Sequence, residues 1–66
     1  MAGTPDPLGE VLIELTRIGA QVRVAALHVE TGIEVVAVAP ASATKAQMQA
    51  LVIAKLRKRL ERPATG

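Results

Sequence analysis

The chain has 66 residues, half of them hydrophobic and 21% charged, with a formal net charge of +2. That composition excludes a disordered segment, and the length allows one domain burying only about 60% of the surface its unfolded form exposes. There is no cysteine and only one histidine, His28, so a disulfide and a closed zinc site within one chain are both excluded. Of the devices that small domains use to gain stability, oligomerisation remains.

Phe, Tyr and Trp are absent, so aliphatic side chains must build the whole core. The same absence removes the stacking platforms of RNA-recognition sheets. Charge is unevenly placed. Residues 1–40 set Arg17 and Arg23 against Asp6, Glu10, Glu14, Glu30 and Glu34, a net of −3, whereas residues 41–66 set six Lys and Arg against Glu61, a net of +5.

Residues 1–7 carry Gly3, Pro5 and Pro7 without hydrophobic periodicity, which predicts a flexible N-terminal tail. They do not form the basic and apolar start of a secretory signal. With no apolar run of about twenty residues either, the expectation is a cytoplasmic protein without membrane association.

From Glu10 to Thr16 the alternation places Val11, Ile13 and Leu15 on one face of a strand and Leu12 and Glu14 on the other. Gly19 then suits a hairpin turn. A second strand follows over Gln21–Val29, with Val22, Val24 and Ala26 opposed to Arg23, Ala25 and Leu27. Glu30-Thr31-Gly32 supplies another turn, and the valine-rich stretch from Ile33 to Ala39 forms a third strand ended by Pro40.

Beyond Pro40, Thr44-Lys45-Ala46-Gln47 has the spacing of a capping box, with Ser42 as a competing cap. The glycine-free stretch to Glu61 predicts a helix that Pro63 stops. Met48, Val52, Leu56 and Leu60 form its apolar stripe, widened by Leu51 and Ile53. The predicted fold class is therefore α+β: a three-stranded antiparallel β-meander followed by one C-terminal α-helix packed on one sheet face. The domain spans residues 8–62, between the tail at 1–7 and a second flexible tail at 63–66.

One helix shields one face of the sheet. Leu12, Leu27, Val36 and Val38 fall on the other, more aliphatic area than a small monomer comfortably exposes, and they are the candidate self-association face. Scattered surface aliphatics are also ordinary. The second candidate is a ridge of Lys55, Lys58, Arg59 and Arg62, which share one helix side at i, i+3, i+4 and i+7. It suits phosphates of a nucleic acid or an acidic partner. Cations near a helix C-terminus also offset the helix dipole, and long basic side chains solvate an exposed face.

His28 stands without a nucleophile or further ligands nearby in sequence and reads as structural. No acid–base pair, nucleophile–base pair or Gly-rich phosphate loop can be named, so no catalytic, cofactor-binding or metal residues are expected. The expected function is a non-enzymatic protein-interaction module, self-associating as a homodimer or binding another protein. The alternative is a nucleic-acid-binding accessory protein.

The order Glu10-Val11-Leu12-Ile13-Glu14-Leu15-Thr16-Arg17-Ile18-Gly19, Val22-Arg23-Val24-Ala25-Ala26, Thr31-Gly32-Ile33-Glu34-Val35 and Ala54-Lys55-Leu56-Arg57 resembles a family of short bacterial proteins of unknown function. The resemblance spans residues 9–62 and implies an ordered domain. Members at times carry the label serine hydroxymethyltransferase; that activity needs a large fold and a lysine in Schiff-base linkage to pyridoxal phosphate, for which a chain of this length has no room.

Overall fold

The computed structural model describes residues 2–6 and 8–61, with side chains from Leu8 to Glu61. The predicted meander and closing helix are present, and a further strand precedes them. In chain order these are β1 (Ala2–Asp6), β2 (Gly9–Ile18), β3 (Gln21–His28), β4 (Ile33–Pro40) and α1 (Lys45–Glu61). The strands form one antiparallel sheet in the order β1-β2-β3-β4, and α1 lies mainly over β3 and β4.

Strand β1 corrects the expectation of a flexible tail over residues 1–7. Its five residues pair with β2 from Ala2 opposite Ile13 to Asp6 opposite Gly9. Side-chain alternation gave no sign of it, because an outermost strand needs hydrogen bonds on one side only and so accommodates Pro5. Arg62 and the predicted tail at 63–66 lie outside the described residues.

The β2–β3 hairpin turns on Gly19 and Ala20 alone, with Ile18 paired to Gln21. Gly19 has φ +62°, and a positive φ at only the first turn residue is the type II′ pattern that matches strand twist. Strand β2 therefore runs on to Ile18, two residues past the predicted end at Thr16. The β3–β4 connection closes when the Gly32 N–H donates to the His28 carbonyl at 2.8 Å.

Register aligns one row set, Val11 and Ile13 of β2, Val22, Val24, Ala26 and His28 of β3, and Val35, Ala37 and Ala39 of β4, beneath Met48, Val52 and Leu56 of α1. Leu56, Val11, Val24 and Val52 are the largest fully buried side chains. Leu15 shares this face but is 37% exposed, because α1 lies mainly over β3 and β4 and leaves this end of β2 uncovered. Leu51 departs from the predicted stripe and is 46% exposed. At 100° per residue it lies about 120° from the centre of the Met48–Leu60 row, turned outward.

Helix α1 starts as the capping box predicts. The Gln47 N–H donates to Thr44 Oγ1 at 3.0 Å and the Thr44 N–H donates to Gln47 Oε1 at 2.9 Å, so Thr44 and not Ser42 is the cap. Thr44→Ala should cost about 1 kcal/mol, measured by urea unfolding, whereas Ser42→Ala should leave stability within about 0.5 kcal/mol of wild type.

Candidate functional site

The sheet face opposite α1 gathers all four residues of the predicted self-association face. Leu12 lies directly opposite Leu27, Val36 opposite Ala25 and Val38 opposite Arg23. Leu12, Leu27 and Val36 are half-buried and Val38 is 58% exposed. Ala25, though on this face, is buried, its small side chain sunk among larger neighbours. Glu14 flanks Ala25 and Glu34 flanks Leu27 across the ladders. The result is an aliphatic band bordered by two carboxylates and Arg23.

The two sheet edges are less suited to pairing with another chain. Strand β1 is short and contains Pro5, and natural edges use both features against strand addition. On β4 the Ala41 N–H bonds inward to the Ala20 carbonyl at 2.8 Å, so strand alternation turns Val36, Val38 and Pro40 backbone groups outward. There Lys55 Nζ donates to the Val36 carbonyl and Pro40 offers no N–H.

Three of the four predicted ridge cations come together on the opposite side of β4. Lys55, Lys58 and Arg59, all exposed, line an open groove of about 220 Å³ with Val35 at its base. The fourth, Arg62, is outside the described residues. The Val36 carbonyl was not legible as a partner for Lys55, since no sequence signal specifies which backbone oxygen a lysine crosses to meet.

His28 is 5% exposed and is held at both ring nitrogens. Nε2 lies 2.7 Å from the Leu8 carbonyl and Nδ1 2.7 Å from Thr31 Oγ1. A carbonyl only accepts, so Nε2 carries the hydrogen, and in the neutral ring Nδ1 accepts from the Thr31 hydroxyl. Thr31 Oγ1 also accepts from the Ile33 N–H at 3.3 Å. The imidazole thereby ties the entry to β2 to the β3–β4 turn. Among the described residues no three His, Cys, Asp or Glu side chains are grouped as metal ligands would be. Nor, among the described residues, is any helix long and apolar enough to cross a membrane.

The chain matches no curated protein and no solved structure. The model of one family, a domain of unknown function designated DUF6898, matches residues 8–63, and the chain belongs to that family.

Proposed function

We propose that this protein is a non-enzymatic interaction module whose outer sheet face docks a second copy of the chain. The observation that carries this reading is the band of Leu12, Leu27, Val36 and Val38, which α1 cannot reach because it packs on the other side of the sheet. A molecule 36 × 25 × 15 Å in extent offers a broad face on the scale of the ~800 Å² per partner that a stable interface buries. The face also carries both charge signs, so a two-fold related copy can set Arg23 against a carboxylate of its mate.

Light scattering over a concentration range tests it: the wild type should reach twice 6.9 kDa. Val38→Glu should weaken association at least tenfold. Glutamate there faces Arg23 across the ladder, which preserves the folded monomer. Leu51→Gln, on the outer side of α1, should leave the dimer intact. A wild type that stays at 6.9 kDa throughout, or a Val38→Glu variant that dimerises as well as wild type, defeats the reading.

The groove of Lys55, Lys58 and Arg59 favours a second reading, an accessory protein that binds nucleic-acid phosphates along α1. Binding should then weaken steeply with salt. A salt-insensitive or undetectable interaction with DNA and RNA removes it.

A further inference from the structure

We infer that the groove between the C-terminal half of α1 and β4 is a site for a single phosphate group, held by Lys55, Lys58 and Arg59 above Val35. This goes beyond the docking reading and deepens the second one, on whose basic helix side it rests. Helix-dipole compensation accounts for Lys58 and Arg59, which lie in the last turn, but not for Lys55. That effect fades within the last turn, whereas Lys55 stands six positions before the helix end and reaches sideways to the Val36 carbonyl. Solvation of an exposed helix face does not account for it either, because the cations border a concavity with an apolar base.

The chemistry of the lining fits a phosphate. No carboxylate is among the described residues that line the groove. Lys55 is already held by one hydrogen bond, and an ammonium has two further donors to offer, which lowers the ordering cost of binding. Arg59 brings a planar fork suited to two phosphate oxygens at once. The side chain of Val35 gives the groove an apolar wall beside the three cations. The groove has room for one such group.

The test is an amide NMR titration of the intact chain with inorganic phosphate against sodium chloride at matched ionic strength, then with a short oligonucleotide carrying or lacking a 5′-phosphate. Saturable shifts confined to residues 35, 36, 55, 58 and 59, lost at least tenfold in Lys58→Ala/Arg59→Ala, support the site. Those side chains are exposed, so the double variant should keep the wild-type circular dichroism. Equal shifts with chloride, or shifts spread over Lys45, Arg17 and Arg23, overturn it. Oligonucleotide binding that ignores the 5′-phosphate and leaves Val35 and Val36 unmoved also overturns the groove while sparing the broader nucleic-acid reading. Phosphate binding at the groove with no oligonucleotide binding leaves the site standing and removes that reading.

Discussion

His28→Ala should cost about 3 kcal/mol, summing a lost pair of buried hydrogen bonds and the space left by the ring. The Leu8 carbonyl loses its imidazole donor, and Thr31 loses the partner that fixes it beneath Ile33. Small cores of this size rarely supply more than about 3–5 kcal/mol in total. Urea unfolding at fixed protein concentration should therefore find the variant with no more than about 2 kcal/mol of stability left at 25 °C. His28→Gln, whose amide N–H can still donate to Leu8, should recover part of the loss. A variant with alanine at 28 within about 1 kcal/mol of wild type contradicts the account of this residue as a tie between two turns.

The second large effect concerns two leucines on one helix. Leu56→Ala should cost about 2–5 kcal/mol, because Leu56 is fully buried and the other fully buried large side chains are valines, too short to fill the gap. A core without aromatic residues has little else to lose. Leu51→Ala, five positions earlier but turned outward, should change stability by no more than about 0.5 kcal/mol. Similar costs for the two would mean that the helix is rotated from the orientation described.

These contrasts mark how far the sequence could be read. Period-two alternation identified three strands and assigned Val36 and Val38 to the outer face, even though both faces of β4 are apolar. Gly19 and Gly32 located the turns, and Thr44 with Gln47 located the helix start. The missing strand, β1, pairs through its backbone with β2 and has no hydrophobic alternation to read. Leu15 shows a different limit: alternation indicates which face a side chain is on, but where the helix lies over the sheet decides how deeply it is buried. His28 read as structural from its isolation, while its two partners come from a turn and from a residue twenty positions away.

The candidate surfaces divide in the same way. Helical spacing was enough to bring Lys55, Lys58 and Arg59 together, yet the groove they line exists only because α1 packs beside the β4 edge. The outer face was legible because every residue in it follows from strand alternation and register.

Nuclear Overhauser contacts between isotope-labelled and unlabelled copies of the chain, mixed at high concentration, test the docking of that face most directly. The account predicts intermolecular contacts to the methyl groups of Leu12, Leu27, Val36 and Val38 and none to Leu51. Contacts centred on Leu51 and the outer side of α1, or no intermolecular contacts at all, would contradict it.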